Sequence, residues 1–175
     1  MPTESEKSLF SKDGYGVLVQ DILYPAFEKR ALEMNNTTKS FSELSQPHVW
    51  SSQLRHPAKQ LPHIPQVAIQ YRCGDNTLRG YGLLAWPAFL RRIPDNTTSI
   101  YIMTENPQRR TKEDVMEKCN EVVRQLSDYL HFHFSSASVV VLRGGNTIDD
   151  VTRLAMADVT ICSPSTFCLW PAVAS

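Results

Sequence analysis

Four short stretches carry residue types that could do chemistry: QYRCGD at 70–75, LRGGN at 142–146, TIDDVTRLAMAD at 147–158 and SPSTF at 163–167. Arg72 follows a run that reads as a buried strand. A guanidinium there is costly unless it is paired. Its planar fork suits a carboxylate or a phosphate equally well. An internal ion pair, with Asp75 as the obvious partner, and a bound phosphate both meet the need. The position at the C-terminal end of a strand tilts the reading towards the phosphate.

Gly144 and Gly145 allow close backbone approach or positive φ. They follow a late strand, with no third glycine and no G-K-[ST], so an NAD fingerprint or an ATP P-loop is not supported. Asp149 and Asp150 lie in the first turn of an expected helix, where acids complement the macrodipole without any ligand. A carboxylate there can also accept two parallel hydrogen bonds from N1–H and the exocyclic amino group of guanine, a donor pair that adenine lacks. Ser165 and Thr166 stand where a helix should begin. Simple N-capping by Ser163 or Ser165 explains them, and so does a phosphate site built from free N–H groups and hydroxyls. There is no Ser-His-Asp layout, H-E-x-x-H, EF-hand loop or D-x-D. Asp149 and Asp150 are adjacent and would diverge on a helix, so no metal is expected.

The elements that must position these residues form a regular series from residue 66 onward. QVAIQY, TSIYIM, SVVVL and DVTIC are strands. SVVVL has the continuous β-branched run expected of a strand buried on both faces. LLAWPAFLRR reads as a helix interrupted or started by Pro87. TKEDVMEKCNEVVRQLSDYL is the clearest helix, with Val115, Cys119, Val122, Val123, Leu126 and Leu130 in one apolar stripe. TIDDVTRLAMA is a helix with Thr147 as N-cap and Asp150 at N3. FCLWPAVA starts a last helix. Strand and helix alternate, which predicts an α/β, Rossmann-like parallel sheet with helices on both faces. Ligands of such sheets sit beyond the C-terminal strand ends, where Tyr71–Asp75, Thr104–Pro107, Arg143–Asn146 and Ser163–Phe167 fall.

Residues 1–65 have a different character. Tyr15, Leu18, Ile22, Phe27, Ala31 and Met34 fall at helical spacing, with Pro25 expected to kink or split the helix. An irregular connector rich in Ser, Asn and Pro follows, long for a compact domain. A boundary is expected near Pro62–Pro65, with 1–65 the end of another domain and 66–175 a Rossmann-like domain.

Lys+Arg and Asp+Glu number 18 each, so the net charge is zero and no global footprint for nucleic acid or an acidic membrane exists. Any bound anion must be held locally. The four cysteines lack C-x-x-C spacing and read as free, mostly buried thiols. His131 and His133 are two apart and would point to different helix faces, so the histidines carry no metal signal. No apolar run reaches the roughly 20 residues of a transmembrane helix. The start lacks a signal-peptide layout, while N-x-[ST] sequons occur at Asn35, Asn36 and Asn96.

Taken together, QYRCGD and DDVTRLAMADVTICSPSTF resemble the donor-binding half of the α1,2-, α1,6- and protein O-fucosyltransferase superfamily. Members carry a strand ending in H-x-R, often followed by R-G-D or R-T-D. Much later come an acid, then eight residues on an Asp opening a strand, then an S-[ST]-F-like turn and a helix. Arg72 falls on the family arginine, Asp150 lies eight before Asp158, and Ser165-Thr166-Phe167 falls on the turn. The resemblance covers roughly residues 66–175. It implies the C-terminal half of a GT-B glycosyltransferase, holding GDP-fucose without metal or cofactor. Arg72 would stabilise the β-phosphate as GDP leaves, Asp150 would read guanine, and Ser165, Thr166 and Phe167 would bind phosphates. The family histidine is Gln70 here, which can still hydrogen-bond base or ribose. The second family arginine is Cys73. The acceptor would be a glycan or protein hydroxyl, attacked with inversion in the Golgi or secretory lumen. No nucleic acid or membrane contact is implied for this segment. A degenerate or non-catalytic α/β nucleotide- or sugar-binding module is the alternative. The family continues the helix begun by FCLWPAVAS, so a truncated chain is expected, with that helix short of packing partners.

Overall fold

The computed structural model describes residues 24–36, 63–73, 84–105, 113–144 and 146–174. In chain order the elements are α1 (Tyr24–Asn36), β1 (Val67–Gln70), α2 (Pro87–Leu90), β2 (Ser99–Thr104) and α3 (Glu113–His133). They continue with β3 (Ser138–Arg143), α4 (Thr147–Met156), β4 (Val159–Cys162) and α5 (Thr166–Ala174). The four strands form one parallel sheet in the order β3-β2-β1-β4. This is the expected α/β, Rossmann-like arrangement.

Side chains alternate across a strand, so each strand feeds two cores. On one face Val67, Ile69, Ile100 and Ile102 pack with Phe89 of α2 and with Cys119, Val123, Leu126 and Leu130 of α3. On the other, Ala68, Tyr101, Met103 and Leu142 pack with Leu154 of α4 and Cys168 of α5. Helices thus cover both faces. The buried stripe of α3 runs Met116, Cys119, Val123, Leu126, Leu130, steps of three and four. Met116 takes the place expected of Val115.

β1 is central and buried at all four positions. Its neighbours are β2 on one side and β4 on the other, although β2 follows it in the chain and β4 comes last. The chain order reverses between β1 and β4, the kind of switch point beside which ligands of open parallel sheets bind.

Several expectations are corrected. β3 is an edge strand and mostly half-buried. The run of valines predicts burial on both faces, but at the sheet's edge, with β2 as its one strand neighbour, only Leu142 is buried. α2 is four residues long, with Pro87 at its start, where the missing N–H costs no hydrogen bond. Asn146, not Thr147, caps α4: its Oδ1 accepts the Ile148 N–H at 2.9 Å. None of the cysteines is free. Cys73 pairs with Cys119 and Cys162 with Cys168, at Cα separations of 5.6 and 5.5 Å, within the span a disulfide bridges. The fold brings the end of β1 to α3 and the end of β4 to α5, and spacing along the chain carries no trace of that. α5 leaves Phe167 and Leu169 exposed. It packs on α4 and β4 through buried Cys168.

α1 lies on α4, with Ala31 and Met34 buried and the Arg30 guanidinium on Asp149 at 2.8 Å. Pro25 is the second residue of α1. The expected helical residues Tyr15, Leu18 and Ile22, the connector up to residue 62 and the first residue of the Pro62–Pro65 boundary lie outside the described residues.

Candidate functional site

The switch point brings together residues from distant parts of the chain. Gln70 ends β1 and its side chain is buried. Ser163 follows β4 and is buried against it. The Ser163 hydroxyl donates to Gln70 Oε1 at 2.8 Å and accepts the Arg72 backbone N–H at 2.9 Å. The Ser163 N–H donates to the Gln70 carbonyl at 2.9 Å. One serine therefore extends the β1–β4 ladder past its last register pair and ties Arg72 to the SPSTF turn, 91 residues away. Ser163→Ala would leave the buried Gln70 oxygen and the Arg72 N–H without this partner. The expected loss is about 1–3 kcal/mol of stability, the cost of stranding buried polar groups, read as a lower midpoint in urea.

Ser165 supplies the helix cap expected of one of these serines: its Oγ accepts the Phe167 N–H at 3.2 Å. Thr166 is the first residue of α5, and Phe167 beside it is exposed. The turn therefore presents the start of α5 at the same sheet edge as Arg72.

Arg72 itself lies beside Glu105, with Nε 3.7 Å from Oε2 and both side chains about a quarter exposed. Asp75, the partner expected from the sequence, lies outside the described residues. Nothing in the sequence singles out Glu105. It sits one residue beyond β2, and only the β1–β2 pairing places it next to Arg72. On its other side is Arg143, whose strand position pairs with Thr104. Burial pushes the Arg143 guanidinium down from its ordinary value, and the Glu105 carboxylate opposes that shift. Arg143 also donates to Asn120 Oδ1 of α3. Three charged groups, Arg72, Glu105 and Arg143, thus line the C-terminal ends of three adjacent strands. Gly144 turns the chain away from β3 with φ 69°, a conformation that favours glycine. Gly145 lies outside the described residues.

Asp150 is placed differently from the others. It pairs with Arg153 one turn further along α4, Oδ1 to Nη1 at 3.0 Å, and both side chains are mostly buried. Arg153 also donates from Nε to the His63 carbonyl at 3.2 Å. Burial pushes the Asp150 carboxyl up from its ordinary value, and Arg153 pulls it back. The structure therefore joins Gln70, Arg72 and the SPSTF turn directly, and holds Asp150 in an ion pair of its own.

A separate groove of about 750 Å³ runs between α3 and β3, lined by Asn120, Glu121, Arg124, Val141 and Arg143. Glu121 accepts from Arg124 and Gln125, which holds its carboxyl down at about 2. Among the described residues no cluster of His, Cys, Asp and Glu could hold a metal ion, and no helix is long and apolar enough to cross a membrane.

Comparison of the chain with protein-family models, curated proteins and solved structures finds no match.

Proposed function

We propose that the chain is the donor-binding part of a fucosyltransferase-like glycosyltransferase that uses GDP-fucose. The observation that carries this reading is the hydrogen-bonded junction of Arg72 with Ser163 at the switch point of a parallel sheet. This junction supports the reading because Arg72 and the SPSTF turn, from the two motifs that resemble the fucosyltransferases, meet at the C-terminal ends of β1 and β4. In this reading the diphosphate lies over the turn. Ser165, Thr166 and Phe167 contact it at the start of α5, where the positive end of the helix dipole favours an anion. Arg72 faces the β-phosphate. Gln70 holds the turn through Ser163, and Asp150 reads guanine after exchanging its contact with Arg153.

The reaction is an in-line displacement. An acceptor hydroxyl oxygen bonds to the fucose anomeric carbon as the bond from that carbon to the β-phosphate oxygen breaks. The electron pair leaves with GDP, the acceptor proton passes to a base, and the configuration inverts. Negative charge grows on the β-phosphate oxygen, and a guanidinium fixed in advance stabilises that charge more than the ground state. The two disulfides suit an oxidising secretory compartment such as the Golgi lumen. The acceptor is a glycan or protein hydroxyl.

A thermal-shift screen of GDP, UDP, ADP and NAD tests the reading. Selective stabilisation by GDP is expected, about 2.7 kcal/mol at a hundred times Kd. Equal responses to all four, or none, would sink it.

A second reading has its own support. Arg72 already has Glu105 beside it and Asp150 already holds Arg153, as in a binding module that has lost catalysis. GDP binding by a chain that neither hydrolyses nor transfers the donor would favour that reading.

A further inference from the structure

Cys162 and Cys168 bracket the turn on which the proposed donor site depends. Cys162 is the last residue of β4 and Cys168 the third residue of α5, six positions on. Inside the ring closed by their bond lie Ser163, Ser165, Thr166 and Phe167. Ser163 is the residue that ties Gln70 to Arg72, and Ser165 caps α5. Cys168 is fully buried in the core with Ala68, Tyr101, Met103 and Leu154, whereas Cys162 is half-buried. One end of the ring is anchored in the core and the other in the sheet.

We propose that the Cys162–Cys168 bond is a positioning element for the diphosphate turn, so that the thiol–disulfide state of this pair sets affinity for a nucleoside diphosphate. The ligand in this proposal rests on the donor-binding reading above. A turn of five residues between two tethered ends has few conformations to lose when it closes on an anion, and preorganisation of that kind raises affinity without a new contact. Opening the bond releases the start of α5 from β4. Cys168 remains a small apolar side chain in its core, so the sheet and α4 keep their packing while residues 163–167 gain freedom.

Opening by a dithiol reductant proceeds by exchange. A reductant thiolate attacks the sulfur of Cys162, the less buried residue of the pair, the Cys162–Cys168 bond breaks, and Cys168 leaves as a thiolate that takes up a proton. The second reductant thiol attacks the mixed disulfide and releases Cys162, which is protonated in turn. The protein gains two electrons and two protons, and the reductant becomes a cyclic disulfide.

The test compares the oxidised chain, the chain reduced with dithiothreitol, the reduced chain after reoxidation, and the Cys162→Ser/Cys168→Ala double variant. The double variant leaves Cys73–Cys119 intact, which separates the two disulfides. Calorimetry with GDP and hydrogen exchange of residues 163–167 are both measured. Opening this bond is expected to weaken GDP at least tenfold and speed exchange in the turn, with β1 and β2 unchanged and affinity restored on reoxidation. Equal GDP affinity in oxidised chain and double variant overturns the proposal while leaving the donor reading intact. Absence of GDP binding by the oxidised chain overturns the donor reading and the affinity claim together. Unchanged exchange in residues 163–167 shows that the bond does not order the turn, whatever the binding result.

Discussion

Arg72→Ala is expected to weaken GDP binding by about 1.5–3 kcal/mol, the range for hydrogen bonds to charged groups. At 1.4 kcal/mol per factor of ten, that is about ten- to a hundredfold in Kd. Glu105 is the competitor for the Arg72 cation. Its carboxylate lies 3.7 Å from Arg72 Nε, longer than a charge-assisted hydrogen bond at about 2.7–2.9 Å. A diphosphate carries more negative charge than one carboxylate and offers oxygens that fit the guanidinium fork, so it is expected to outcompete Glu105 for the same cation. Glu105→Gln is the matching control. It removes the competing charge and is expected to leave GDP affinity equal or tighter. Both side chains are only partly buried, so neither substitution should unfold the chain. Calorimetry on wild type and the two variants decides the matter. Equal GDP affinity in wild type and Arg72→Ala would make the Arg72–Glu105 pair purely structural and the SPSTF turn a plain helix cap.

The elements were legible because each repeats a period. α3 shows steps of three and four from Met116 to Leu130, and the four apolar strand runs match the observed strands to within one residue at most ends. Strand order is another matter. SVVVL reads as buried on both faces, yet nothing in five residues says that it lies at the sheet's edge, where it is mostly half-buried. The same gap governs the site. QYRCGD and SPSTF each read as strand-end motifs, but their meeting depends on β4 returning beside β1. Glu105, Arg153 and Arg30 carry no sequence signal for the same reason: each matters through a neighbour that only the tertiary fold supplies. The cysteines show the limit most plainly. The partners are 46 and six residues apart, and neither interval resembles a redox or metal motif.

Asp150 is where a purely structural role and a guanine-reading role diverge most, and Arg153→Ala separates them. Arg153 and Asp150 form an ion pair in which neither side chain is more than 15% exposed. Removing one partner of a buried pair leaves an uncompensated charge and costs about 3–5 kcal/mol. The loss of the Arg153 bond to the His63 carbonyl adds to it. The pH dependence has a definite sign. The Asp150 carboxyl is raised in the folded chain chiefly by burial, with Asp149 acting in the same direction and Arg153 against it. Between the ordinary value of 3.8 and that raised value, the folded state binds more protons than the unfolded state. Its contribution to stability therefore falls as pH rises through this window. Without Arg153 the window widens upward. The deficit of the variant relative to wild type should be full at neutral pH and shrink on acidification, as Asp150 takes up a proton. Urea melts of wild type, Arg153→Ala and Arg153→Ala/Asp150→Asn at two pH values measure this, and the double variant should recover much of the neutral-pH loss because it buries no lone charge. If Arg153→Ala is as stable as wild type at neutral pH, the Asp150 carboxylate is not committed to Arg153. It is then available to a base, and a guanine-over-adenine preference that disappears in Asp150→Asn becomes the expected result. If the loss is full, guanine recognition by Asp150 requires the ligand to displace a buried guanidinium, and Arg153 itself becomes part of base selectivity.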